Sequence, residues 1–399
     1  MDVTIKNAPL CGEITAPPSK SDAHRALICA ALADSPVAIK LSSGSEDIYA
    51  TIACLEALGA EIETTEQGIV VHPVKKSAKS PVLDCGESGS TLRFLLPVAA
   101  VAAENARFEG RGRLPERPIG DILRSLEENG CFASGRKIPL SLQGELKAGV
   151  FRISGDVSSQ FVSGLLMALP VLQGESRIVL TTPLESAAYV DMTINTLKRF
   201  GVQIVRNADG YSVPGCQIYR SQVEYEVEGD WSGAAFFAVA DMIGGSVKIN
   251  GLRADSAQPD KAIESFSKGL PAEVDVSEFP DLFPVLAVLA CSKRGDTLLK
   301  GASRLRIKES DRIVETARFV KDLGGAVDTG EDFLLVHGKG RLRGGITDSA
   351  NDHRIAMSAA IAAGICDGPV TVTGAEAVNK SYPGFWQEIK KLEQRKGEN

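Results

Sequence analysis

The run Lys308-Glu309-Ser310-Asp311-Arg312 sets two cations and two carboxylates side by side. It stands directly ahead of an apolar periodicity (Ile313, Ala317, Val320, Leu323) that reads as a helix. Acidic residues at a helix start are ordinary, because the first turn favours negative charge. Lys308 and Arg312 are not explained that way. Together the run suits an anion site with a carboxylate held beside it.

The same combination recurs along the chain. Ser19-Lys20-Ser21 with Arg25, Ser88-Gly89-Ser90 with Arg93, Ser158-Ser159-Gln160, Asp230-Trp231-Ser232, Pro280-Asp281 and Asn351-Asp352-His353-Arg354 each stand at the head of an apolar segment. Small hydroxyl and Asx residues cap helices, which accounts for the Ser and Asp positions. Capping does not account for Lys20, Arg25, Arg93 or Arg354. Free backbone N–H groups with a basic side chain at a helix N-terminus make an anion pocket. In Glu116-Arg117-Pro118-Ile119-Gly120, proline falls in a first turn, where its missing N–H is harmless. Arg117 just ahead of it suits bidentate contact with a carboxylate or phosphate. Taken alone, Ser186 and Tyr189 read as capping and packing residues before a helix over 191–200. Lys380-Ser381-Tyr382-Pro383 alone reads as a surface loop. Gly110-Arg111-Gly112 lacks the strand–helix context of a dinucleotide site, and no glycine–lysine phosphate loop occurs, so a nucleotide is not indicated.

The elements that must position these groups form a repeat. Segments 48–72, 119–142, 190–213 and 313–337 each read as an amphipathic helix, a glycine-containing turn and two short strands. Gly59, Gly130 and Gly201 fall at equal intervals, where a helix C-terminus needs the left-handed conformation that glycine tolerates. Weaker copies of the helix lie at 261–269 and 384–395. A second kind of helix, apolar nearly all round, is expected at 26–32, 94–103, 161–172, 234–243, 282–290 and 355–365. A helix without a polar face is buried on every side. Six of them at matching positions are a six-fold repeat. The expectation is an α/β fold of two similar domains, each of three repeats with buried helices inside and sheets outside. If the six helix N-termini face one cleft, that cleft is positive, and its ligand is small and multiply anionic.

Composition agrees. The chain has 399 residues, 44% hydrophobic, with net charge −7. That length allows two domains with separate cores. The acidic balance argues against nucleic acid. The longest apolar segment, 94–103, is too short to span a bilayer, so a soluble cytoplasmic protein is expected. The eight cysteines (11, 29, 54, 85, 131, 216, 291, 366) are scattered, with no CxxC pair. They read as free thiols rather than as a disulfide framework or zinc site.

Taken in order, PSKS with Arg25, Gly89 with Arg93, ERPIG at 116–120, Ser158-Ser159-Gln160, Pro280-Asp281, KESDR at 308–312, NDHR at 351–354 and Lys380 closely resemble the 5-enolpyruvylshikimate-3-phosphate (EPSP) synthase family. The resemblance covers nearly the whole chain. It implies two inside-out α/β-barrel domains, the first made of 1–15 plus 228–399 and the second of 16–227, with the active site in the cleft between them. It also implies a monomer that needs no metal and no cofactor. The reaction it implies is transfer of the enolpyruvyl group of phosphoenolpyruvate to the 5-hydroxyl of shikimate 3-phosphate, with release of phosphate.

By the same resemblance, Ser158, Ser159 and Ser186 hold the shikimate phosphate, and Ser21 and Arg25 bind the ring carboxylate and its surroundings. Gln160 bridges the two substrates and Tyr189 contacts the shikimate side. Lys20, Gly89, Arg117, Arg312, Arg354 and Lys380 surround phosphoenolpyruvate. Asp281 is the base at the 5-hydroxyl, with Lys308 orienting that hydroxyl. Glu309 donates a proton to the methylene carbon, and Lys20 assists proton traffic and the leaving phosphate.

Two positions depart from the family pattern. Glu87 stands where the family usually has Asn, two residues before Gly89, and Phe94 where Pro often follows the arginine. A carboxylate at Glu87 must pair with a cation or turn away from a bound anion. Two other readings compete. The sister transferase acting on UDP-N-acetylglucosamine carries a reactive cysteine in the loop before its RP-type motif, and residues 112–116 have none. A non-catalytic anion-binding protein of this fold would be expected to lose the carboxylates, and Asp281 and Glu309 are both present.

Overall fold

The computed structural model describes residues 1–75, 79–222 and 224–394. The fold is α/β, and the chain divides into two compact units. The first is Met1–Ser19 with Glu228–Asn399, and the second is Lys20–Val227.

The second unit contains three four-stranded sheets built to one plan. One runs Val82–Asp84, Asn105–Glu109, Leu140–Gly144, Cys131–Ala133. The next runs Val150–Ile153, Ser176–Leu180, Gly210–Val213, Val205–Asn207. The third takes Glu224–Glu226 from the far end of the unit beside Val37–Lys40, Gly68–His72 and Glu61–Thr65. In each, the first pair is parallel and the other two antiparallel. A parallel pair needs a crossover. In the first two sheets that crossover carries a buried helix, Gly89–Ala102 or Ser159–Ala168, and Lys20–Ala31 leads into the third. The amphipathic helices Glu46–Ala57, Gly120–Glu127 and Ala187–Arg199 then lead to the hairpins. Gly59, Gly130 and Gly201 just beyond them have φ of 105°, 102° and 75°, the left-handed region only glycine enters at little cost.

The first unit repeats the plan once in full. Its strands run Glu273–Asp275, Arg294–Lys300, Leu334–Lys339, Val327–Thr329. A three-stranded sheet (Val3–Ile5, Val370–Thr373, Gly345–Asp348) and a parallel pair (Ser246–Asn250 with Cys11–Thr15) complete its strands among the described residues. Its buried helices are Trp231–Met242, Phe283–Cys291 and His353–Ala362. Each unit encloses its own apolar core around these helices.

One close crossing shows how small residues pack the second core. Pro97 lies inside Gly89–Ala102 and supplies no N–H to the Arg93 carbonyl one turn earlier. Gly164 of the neighbouring helix fills that place, where an added Cβ would stand 2.7 Å from Arg93 O.

Local structure departs from expectation at four places. The segment at 261–269 is a 3-10 helix, Pro259–Phe266. Asp281 sits in a separate 3-10 turn, Pro280–Leu282, and the buried helix starts only at Phe283. Proline opens both turns, where its missing donor costs nothing. Ala187 and Ala188, strong helix formers, extend the next helix N-terminally, so Tyr189 lies within Ala187–Arg199 instead of ahead of it. The last helix is Phe385–Gln394, and Arg395 lies outside the described residues. Among the described residues no helix is long and apolar enough to cross a membrane.

Candidate active site

In the second unit the helix starts gather side chains around buried arginines. Ser88 and Ser158 cap their helices by accepting from Thr91 N (3.2 Å) and Gln160 N (3.3 Å). Lys20 opens its helix and pairs with Asp47 at 2.8 Å. Arg25, one turn on, is buried. It donates to Thr193 Oγ1 (2.7 Å), Ser21 O (2.5 Å) and Tyr189 O (2.9 Å), and lies over the Phe94 ring at 5.1 Å. Burial pushes it down to about 10, against the pull of Asp22. Arg93 donates to Gln160 Oε1 (2.9 Å), and Gln160 Nε2 donates to Ser90 Oγ (2.8 Å). That bond orients the expected bridging amide. Ser186 is buried with φ of 54°, a left-handed serine at the head of Ala187–Arg199. Non-glycine residues there store strain, and such strain clusters at ligand sites.

Gly89 and Arg117 are in contact: a Cβ on Gly89 would collide with the Arg117 guanidinium. Glycine is therefore required for Arg117 to lie along this helix start. Both departures from the family pattern have a place. The Glu87 carboxylate packs on Gly112, where a Cβ would stand 2.5 Å from Oε2. Phe94 is buried under Arg25 and edge-on to His24.

The first unit assembles the remaining groups around Arg312, the first residue of Arg312–Asp322. Its guanidinium meets three carboxylates: Asp281 at 2.7 Å through Nη1, Glu309 at 2.7 Å through Nη2 and Asp352 at 2.9 Å through Nε. Burial opposes the Arg312 charge, but Asp352, Glu309 and Asp281 outweigh it and hold the group above the ordinary arginine value. Asp352, fully buried, also accepts from Ser310 Oγ and, through its other oxygen, from Arg354 N, both at 2.9 Å. Arg354 Nη2 donates to Asp281 Oδ2 at 2.9 Å. Burial works against the Asp281 charge, yet Arg354, Lys308 and Arg312 hold its carboxyl far below the ordinary range. Lys380 Nζ donates to Asn351 O at 2.7 Å, bringing the C-terminal loop to the same helix start. The run at 308–312 is fixed from behind. Asp311 caps its helix through Val314 N (3.2 Å) and pairs with Arg306 at 2.8 Å, and Arg306 Nη2 donates to Gly330 O at 2.6 Å.

The structure thus groups Lys20, Ser21, Arg25, Gly89, Arg117, Ser158, Ser159, Gln160, Ser186 and Tyr189 at helix starts of one unit. Asp281, Lys308, Glu309, Arg312, Arg354 and Lys380 gather at those of the other. Residues without an expected role also belong here: Asp47 beside Lys20, Thr193 beside Arg25, and Asp352. Asp352 reads in sequence as a helix cap, and Asp47 and Asp352 both stand at helix starts. Their pairing with distant cations left no local signal. Among the described residues no group of three or more His, Cys, Asp or Glu side chains could hold a metal ion.

Helix N-termini that carry buried arginines beside carboxylates are suited to small anions. The comparisons narrow that reading. The EPSP synthase family (3-phosphoshikimate 1-carboxyvinyltransferase) matches residues 5–270 and 265–389. The 3-phosphoshikimate 1-carboxyvinyltransferase of Clostridium novyi is 42% identical, over 98% of this chain and 97% of its own length. That of Clostridium acetobutylicum is 41% identical, over 97% of each. The solved EPSP synthase of Acinetobacter baumannii superposes with a TM-score of 0.81 at 26% identity, covering 98% of both chains. The chain belongs to the EPSP synthase family.

Proposed function

We propose that this chain transfers the enolpyruvyl group of phosphoenolpyruvate to the 5-hydroxyl of shikimate 3-phosphate, giving 5-enolpyruvylshikimate 3-phosphate and phosphate. The observation that carries the reading is Arg312, whose one guanidinium holds both Asp281 and Glu309 at 2.7 Å in a chain of this family. Two carboxylates beside one anion-suited group are what addition–elimination requires.

In addition, the 5-hydroxyl oxygen bonds to C2 of phosphoenolpyruvate, its proton passes to Asp281, and the methylene carbon gains a proton from Glu309. The product is a tetrahedral ketal. In elimination, the methyl group returns a proton to Glu309, the C2–O bond to phosphate breaks, and phosphate leaves with the proton that Asp281 had accepted, so both carboxyl groups regain their starting states. Lys308 orients the 5-hydroxyl, and Lys20 assists proton traffic and the departing phosphate. Coupled groups share protons, so the titration of Asp281 and Glu309 is that of a pair.

Ser158, Ser159 and Ser186 hold the shikimate phosphate, and Ser21, Arg25 and Tyr189 hold the ring side. Gln160 lies between the substrates. Lys20, Gly89, Arg117, Arg312, Arg354 and Lys380 take phosphoenolpyruvate. We also read each unit as an inside-out barrel of three repeats, a reading supported by the shared strand order and the buried helices. On this reading the enzyme acts in the cytoplasm as a monomer without a cofactor.

The test is a phosphate-release assay with phosphoenolpyruvate and shikimate 3-phosphate, each omitted in turn. Release only with both present is the expected result. Release with phosphoenolpyruvate alone, or tight binding of both without release, would refute the transferase reading.

A further inference from the structure

We propose that Arg312 and Arg354 keep Asp281 out of use as a base in the ligand-free chain, and that phosphoenolpyruvate, by occupying these two guanidiniums, releases it to accept a proton. The proposal rests on the reading that both arginines bind phosphoenolpyruvate.

The geometry separates permanent from exchangeable contacts. Arg312 is anchored through Nε to Asp352, whose oxygens are further held by Ser310 Oγ and Arg354 N in the buried interior. That leaves Nη1 on Asp281 and Nη2 on Glu309. Arg354 gives only Nη2 to Asp281, while its Nε and Nη1 are buried with no hydrogen-bond partner among the described residues. Buried donors are nearly always satisfied, so these two call for an acceptor that the described residues do not supply. An anion arriving there meets Asp281 on the same guanidinium. Two like charges on shared cations disfavour both being ionised.

The surrounding charges give the direction of the change. Asp281 faces Arg354, Lys308 and Arg312, which favour its ionised form, and Glu309, which opposes it. Arg354 in turn faces Asp260 and Asp230. With the arginines neutralised by a bound anion, Lys308 alone still favours the ionised form, against burial and Glu309, which both favour protonation. Its proton affinity therefore rises when the carbon to be attacked is in place. Before that, it is an ion-pair partner and a poor base.

The experiment is calorimetric titration of phosphoenolpyruvate into the enzyme saturated with shikimate 3-phosphate. Two buffers of different ionisation enthalpy count the protons exchanged, and Asp281→Asn serves as the reference. The wild type is expected to take up more protons than Asp281→Asn, the difference approaching about one per site as pH falls. Asp281→Asn is expected to bind phosphoenolpyruvate at least as tightly, because a competing carboxylate is gone. Equal proton counts with binding retained would overturn the proposal. The wild type supplies a second measurement should the variant not fold. The acid limb of kcat, which reports the complex, is expected at higher pH than that of kcat/KM, which reports the free enzyme, and coincident limbs would overturn the proposal. Arg354→Ala separates the underlying reading. If it leaves phosphoenolpyruvate affinity unchanged, the anion does not bind there, and the site assignment falls first.

Discussion

Arg25 and Arg312 are equally deep in their units, at 2% and 1% exposure, yet keep opposite company. Arg25 bonds to a hydroxyl and two carbonyls and lies over a ring, and burial lowers it to about 10. Arg312 is wrapped by three carboxylates that raise it. Neutral partners orient a cation without cancelling it, whereas around Arg312 the balance is internal. On the proposed assignment, a ligand would supply the charge that balances Arg25 but would have to compete for Arg312.

The largest effect expected from disturbing this contrast is on turnover. Asp281→Asn and Glu309→Gln keep shape and some hydrogen bonds to Arg312 but cannot take up and return a proton. General acid–base groups contribute ~10²–10⁴-fold, so kcat should fall by about that much with both substrates still bound. Glu309→Gln should also slow entry of solvent deuterium into the methylene of phosphoenolpyruvate. Near-normal turnover in Glu309→Gln would remove it from the mechanism and shift the donor role to Lys20.

Next is stability, where the two arginines should part. Arg312→Ala leaves the fully buried Asp352 without its guanidinium, and removing one partner of a buried pair costs about 3–5 kcal/mol. Arg25→Ala strands only neutral acceptors, at about 1–3 kcal/mol, with some added loss from the vacated space. Urea denaturation of both variants checks the order. Equal losses would mean that the carboxylates around Arg312 carry no more weight than the carbonyls around Arg25.

Much of this organisation was legible in sequence, and the boundary is physical. The buried helices announced themselves because Phe94 to Ala103, or Leu282 to Ala290, has no polar face to offer solvent. Gly59, Gly130 and Gly201 marked helix ends because their backbone conformation is local. Lys308 to Arg312 stood out because helix capping cannot explain its cations. Asp352 did not stand out, since an aspartate at a helix start is what a cap demands. Its role as the anchor of Arg312 arises from the meeting of two segments 40 positions apart in the chain. Likewise the sequence showed Glu87 as an unplaced carboxylate. Only folding reveals Gly112 beneath it, with space because it lacks a Cβ.

A smaller effect tests the assignment of the two anion subsites. Arg354→Ala and Arg117→Ala each remove charge-assisted bonds to one anion, about 1.5–3 kcal/mol or ~10–100-fold. Calorimetry should show the loss for phosphoenolpyruvate, with shikimate 3-phosphate little changed. Ser159→Ala should do the reverse, and more mildly. Arginine variants that lose shikimate 3-phosphate instead would show the subsites to be exchanged.

The smallest effect concerns a third kind of charge pairing, one open to water. His337, on an inner strand of its sheet, lies between Asp296 and Asp328 of the two flanking strands, each at 2.9 Å. Hydrogen bonds to Asp328 and then Asp296 raise its pKa above the ordinary 6.5. A group raised on folding contributes stability that is fully present below 6.5 and lost as pH rises through the folded value. The wild type should therefore lose a little stability relative to His337→Gln as pH rises above 6.5, read as a narrowing gap between denaturation midpoints. High salt should shrink the gap further, because exposed pairs are screened. Salt should leave the Arg312 loss nearly unchanged, because that cluster is buried. If both losses responded equally to salt, burial would not be what distinguishes these carboxylates, and the contrast drawn between Arg25 and Arg312 would lose its physical basis.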